Sequence, residues 1–184
     1  MHEDTERDDL HRQLIDARSA LVSAADGLTD AQAAARSTAS ELCVGGLVKH
    51  VAAVEDGWLR VITDGPSAMS FDLPDGVSWA EIVDGSAREY PQWMVDRRQQ
   101  FLMLPGETLA GVLAGYREVC ARTDRIVGEI EDLDRTIALP AAPWGEPARD
   151  QTVRAMLLHV IAETCQHAGH ADIIREALDG RKSS

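Results

Sequence analysis

The chain has 184 residues and a formal net charge of −13, with 18 Lys and Arg set against 31 Asp and Glu. That balance argues against nucleic acid and anionic membranes as partners, since both need a positive face. The length suits one domain, residues 1–184, with a core large enough to need no staples. No run of about 18 apolar residues occurs, and the acidic start Met1-His-Glu-Asp-Thr-Glu-Arg-Asp-Asp is the opposite of a signal peptide, so the chain reads as cytoplasmic. Cys43, Cys120 and Cys165 are odd in number and widely spaced, unlike a disulfide framework.

The first predicted element runs from about Thr5 to Ala25. Leu10, Leu14, Ala17 and Leu21 recur at three- and four-residue steps, continuing to Leu28, with charged residues on the other faces. His2 and His11 lie in this charged stretch and read as solvated. Gly27 stops the helix, and Thr29-Asp30 opens a short Ala-rich turn or helix.

A second helix is predicted from around Cys43 or Gly45 to Thr63. Leu47, His50, Val54 and Val61 share about 60° of its circumference, which puts His50 on the core stripe. Taken alone, a buried histidine satisfied by a neighbouring hydrogen bond explains it as well as a ligand does. Cys43 is about 10 Å away along the axis, too far to share an ion with His50.

From Asp64 to Gly106 the periodicity fails among turn signals such as Gly65-Pro66 and Leu73-Pro74-Asp75-Gly76. A connection of this length is functional or holds short helices of its own. Phe71, Trp79, Tyr90, Trp93 and Phe101 lie in it, either pinning a crossover to the bundle or lining a ligand pocket. The third long helix, opened by Glu107-Thr108, carries Leu109, Leu113, Tyr116, Cys120, Thr123, Val127 and Ile130 on one stripe. A turn-rich loop, Leu139 to Pro147 and including Trp144, leads to a last helix from about Asp150 or Gln151 to Leu178, stopped by Gly180. Four long helices with one long crossover describe an all-α four-helix bundle.

The last helix contains the chemistry. With Glu163 at zero on the helical wheel, His159 falls at about −40°, His170 at about −20° and His167 at about +40°. Met156 and Ile174 both fall at about +20° on that wheel, so these polar groups share an apolar stripe. Such a face is costly unless something binds it, and a divalent metal is the simplest partner. Glu163 and His167, one turn apart, can reach one ion. The third ligand must come from another helix, and His50 is the core-facing histidine available. Two imidazoles and one carboxylate leave an open coordination position, the catalytic pattern. A hydrogen-bonded polar core network is the alternative reading. Cys165 points away from Glu163.

His159-Val-Ile-Ala-Glu163-Thr-Cys-Gln-His167-Ala-Gly-His170-Ala-Asp-Ile resembles the last-helix motif of the DinB-like superfamily. The nearest branch contains mycothiol-dependent maleylpyruvate isomerase and mycothiol-dependent S-transferases. Leu47-Val-Lys-His50-Val-Ala-Ala-Val-Glu-Asp-Gly-Trp58 is similar to the second-helix motif, and Pro105-Gly-Glu-Thr108 to the lead-in of the third helix. Many DinB-like chains have His where this one has Glu163; the isomerase branch has Glu. The resemblance implies an up-down-down-up bundle with His50, Glu163 and His167 as metal ligands, and His159 and His170 orienting ligands or meeting substrate. It further implies a zinc or similar ion binding a low-molecular-weight thiol, mycothiol, as thiolate. A small electrophile is then the other partner, in detoxifying S-transfer or isomerisation, and a homodimer is left open. Metal-dependent hydrolysis on the same site and a non-catalytic, metal-stabilised stress-related binding protein are the competing functions.

Overall fold

The computed structural model describes residues 2–143 and 145–182, with side chains from residue 5 onward. The expectations for the His2 side chain and for Trp144 lie outside the described residues. Four long helices build the molecule: α1 (His2–Ala25), α3 (Val44–Asp64), α6 (Leu109–Glu129) and α7 (Val153–Asp179). The one-turn α2 (Asp30–Ala33) follows α1, held by a capping box between Thr29 and Gln32. The crossover holds a 3₁₀ turn at Pro66–Ala68, α4 (Trp79–Asp84) and α5 (Gln92–Gln100).

Side-chain ties fix the directions of the long helices. Arg154 binds Glu6 at one end of the bundle while Arg175 donates to the carbonyls of Ala24 and Asp26 at the other, so α1 and α7 run parallel. Lys49 pairs with Glu107 and Asp56 with Arg122, so α3 and α6 are also parallel. Arg7 reaches the Ile130 carbonyl and Arg18 reaches Asp124, which makes α1 antiparallel to α6. The up-down-down-up order follows.

The structure adds an element that the sequence reading lacks. The last helix is expected from about Asp150 or Gln151, but residues 149–152 form strand β2 (Arg149–Thr152), antiparallel to β1 (Thr136–Leu139), with Thr136 opposite Thr152. Ile137 and Leu139 on β1 face inward and join the apolar core, and that burial holds the hairpin. Helix α7 begins only after Thr152, whose hydroxyl accepts from the Ala155 N–H. It ends at Gly180, which lies in the left-handed region (φ 78°) and donates its N–H back to the Glu176 carbonyl in an αL cap.

Two apolar clusters fill the bundle. One gathers Leu21, Leu47, Val51, Tyr116, Ala168 and Ile174; the other gathers Leu59, Ile62, Val127, Ile137, Val153 and Met156. Each long helix also buries polar groups, among them Arg18, Glu55, Thr123 and Thr164. Arg18 grips Glu55 with two hydrogen bonds, at 3.1 and 2.6 Å, and Thr123 donates a third at 2.5 Å. Arg18 also reaches Asp124 at 2.6 Å, and His11 lies 2.9 Å from the same carboxylate. His11 is therefore a partner in this network, contrary to its solvated reading. Thr164 satisfies its hydroxyl locally on the Val160 carbonyl.

Breaking a buried ion pair strands a charge, whereas replacing both partners removes the cost with the gain. Glu55→Leu or Arg18→Met alone should lower unfolding free energy by about 3–5 kcal/mol. The double variant should recover most of that loss, as read from urea midpoints at pH 7.

Candidate metal centre

His50 enters the bundle from the second turn of α3, held inward by its buried neighbours Leu47 and Val51. Opposite it, α7 presents Glu163 and, one turn on, His167. The Nε2 atom of His167 lies 3.5 Å from Glu163 Oε2, and that of His50 lies 3.9 Å from the same oxygen. One ligand atom from each of the three residues lies within 4.8 Å of the others. Bonds of about 2.0–2.2 Å to a tetrahedral ion place ligand atoms roughly 3.4 Å apart, so small side-chain rotations close this trio around one ion.

The outward nitrogens of both imidazoles are occupied. His50 Nδ1 lies 3.4 Å from Gln100 Oε1, and His167 Nδ1 lies 3.3 Å from His170 Nδ1. A Nδ1–H donated from His50 to the Gln100 oxygen leaves Nε2 with its lone pair pointing at Glu163. Phe101 stacks on the His50 ring, with centroids 4.0 Å apart and planes 25° apart, and His167 meets the same ring edge-on at 4.8 Å. Burial holds His50 down to about 4, reinforced by His167 beside it and opposed by Gln100 and Glu163. Burial lowers His167 too, against the pull of Glu163. Both shifts favour the neutral ring, the form a metal requires.

The other sequence candidates divide. His170 touches the trio through His167. His159 packs instead against Trp58, ring centroids 5.0 Å apart, one turn before Glu163. Cys165 is exposed, and Cys43 is buried with its thiol toward the Phe101 carbonyl. Gln100 went unread because it sits where periodicity gives no signal, at the end of α5. Among the crossover aromatics, Trp93 meets Phe71 and Trp79 within the crossover itself, while Phe101 stacks on His50.

A parallel-crossover bundle with His, Glu and His converging between its second and fourth long helices is a DinB-like helical protein. The family model for mycothiol S-transferases matches residues 9–180, and the chain belongs to that family. A solved structure described as a conserved protein from Enterococcus faecalis shares the fold, with a TM-score of 0.61 at 17% identity, covering 94% of this chain and 96% of that one. No curated protein matched. No helix among the described residues is long and apolar enough to cross a membrane.

The lowered imidazoles couple stability to pH. Folded His50 takes a proton only near pH 4, whereas the unfolded chain takes one near 6.5, so the unfolded state binds more protons between those values. The contribution is complete above pH 6.5 and is lost as pH falls toward 4. Metal-free protein should lose about 1–2 kcal/mol from this residue between pH 7.5 and 5. His50→Gln should flatten that part of the profile in urea titrations.

Proposed function

We propose that the protein is a zinc-dependent S-transferase that joins a low-molecular-weight thiol, mycothiol, to a small electrophile. The observation that supports it is the convergence of His50, Glu163 and His167 in a chain of the mycothiol S-transferase family. Two neutral imidazoles and one carboxylate suit zinc and leave a coordination position open. A divalent ion bound there supplies positive charge that favours the thiolate over the thiol at neutral pH.

The chain's own residues supply holding and orientation. Glu163 offsets part of the ion's charge, while Gln100 and His170 engage the far nitrogens of the two imidazoles. The protein's thiols do not fit the part of nucleophile. Burial pushes the Cys120 thiol up to about 11, Cys165 lies on an exposed face of α7, and Cys43 is buried against the crossover. The nucleophile therefore arrives with the cosubstrate. On this reading the reaction detoxifies or isomerises small electrophiles within one cytoplasmic bundle domain.

Untagged protein should contain one equivalent of zinc by elemental analysis. His50→Ala, Glu163→Ala and His167→Ala should each empty the site in an otherwise folded bundle. His170→Ala should keep the ion with affinity reduced by about 10–100-fold. Conjugation of a chromogenic electrophile should require mycothiol, stop on chelation and return with zinc. Undiminished transfer by metal-free protein would refute the reading, and electrophile hydrolysis without thiol would replace it with a hydrolase.

A further inference from the structure

The last residues of the crossover are pressed against the start of α3 more closely than ordinary packing requires. Gly46 lies under the backbone of Phe101 and Leu102: a Cβ there would overlap the Phe101 carbonyl and sit 3.0 Å from the Leu102 nitrogen. At Gly45 a Cβ would meet the side chain of Met103, whose flexible end can swing away, and would come within 3.3 Å of the Ala33 carbonyl. Three further groups fasten the same segment. The Lys49 ammonium donates to the Leu102 carbonyl at 2.8 Å and the Gln99 carbonyl at 3.4 Å. It also pairs at 2.7 Å with Glu107, whose carboxylate accepts the Leu104 N–H at 2.7 Å. The Cys43 thiol faces the Phe101 carbonyl at 3.7 Å.

All of these ties converge on residues 99–104, and the two side chains they bring to His50 are Gln100 and Phe101. Both land on His50: Gln100 on its Nδ1 atom and Phe101 on its ring face. Free rotation of the imidazole would let either nitrogen face α7. With Phe101 covering one face and the Gln100 carbonyl oxygen accepting the Nδ1 proton, one orientation and one tautomer remain, with Nε2 toward Glu163. Gly45, Gly46 and Lys49 lie on α3 with His50, and Cys43 is that helix's N-cap, so most of the anchoring belongs to the helix that bears the target; Glu107 adds a tie from the lead-in to α6.

We infer that Gln100 is a positioning residue for the metal centre, setting the orientation and tautomer of His50, and that Gly46 is the backbone contact that allows it to reach. This rests on the metal-centre reading of His50, Glu163 and His167. Neither residue touches the ion or the substrates; they act through the imidazole.

The experiment is zinc affinity by chelator competition, together with the absorption spectrum of the cobalt(II)-loaded protein, whose visible bands report coordination geometry. Gln100→Leu removes the acceptor while keeping bulk, and should weaken zinc binding by about 10–100-fold and alter the cobalt bands. Gln100→Glu restores an acceptor and should return both readouts to near wild type, which a purely structural role would not predict. Gly46→Ala should reproduce the Gln100→Leu defect, whereas Gly45→Ala should be milder because a movable side chain is the main obstacle. If Gly46→Ala does not fold, the Gln100 pair decides alone. Equal zinc affinity and identical cobalt spectra in wild type, Gln100→Leu and Gln100→Glu would overturn the inference while leaving the metal centre intact. Wild-type protein that binds neither metal would overturn the metal reading, and this inference with it.

Discussion

Two parallel helices that are consecutive long elements of the chain impose the constraint on which the site depends. After α3 the polypeptide stands at one end of the bundle, yet α6 must start at the other. A helix of 21 residues is about 31 Å long at 1.5 Å per residue, so the chain has to travel that distance back outside the core. The crossover is this return path. Because it must finish beside the beginning of α3, it passes the second turn of that helix, where His50 sits. A bundle of simple antiparallel hairpins would have no segment there.

Two carboxylates on the long helices show how differently a bundle can treat negative charge. Glu55 is fully buried and is matched within the protein, by a two-pronged guanidinium and a hydroxyl. That arrangement is closed: donors surround the oxygens and nothing further is needed. Glu163 is only partly covered and faces two imidazoles that burial keeps neutral. Among the described residues no guanidinium or ammonium pairs with it there, and on the proposed reading a bound cation supplies the positive charge. The first carboxylate belongs to the stability of the bundle, and the second, on the proposed reading, to its chemistry.

Periodicity carried the sequence reading far where one helix face was apolar. The stripes of α1, α3, α6 and α7 were legible, and so were the three side chains that the structure brings together. An imidazole on an apolar stripe and a Glu-His pair one turn apart are local signals. What remained hidden was set by pairing across the fold. Arg18 and Glu55 look like ordinary charged positions on amphipathic helices until three helices bring their partners together. Four-residue strands are too short for alternation to stand out, so the hairpin was read as loop and helix. Gln100 and Phe101 take their meaning from a backbone path that the periodic pattern does not encode. Gly46, in turn, resembles a weak helix position rather than the seat of another chain segment.

The candidate ligands also sit at widely separated points of the sequence, His50 on the second long helix and Glu163 with His167 on the last. Contacts of such separation are slow to form, because long loops must close before they are rewarded. The α1–α7 pairing joins the two ends of the sequence, and the α3–α6 pairing must wait for the return crossover. The three groups reach one point once α3 packs directly against α7. On the proposed reading, a half-assembled bundle has scattered ligands and offers no site, so capture of an ion would report that the second and last long helices have met.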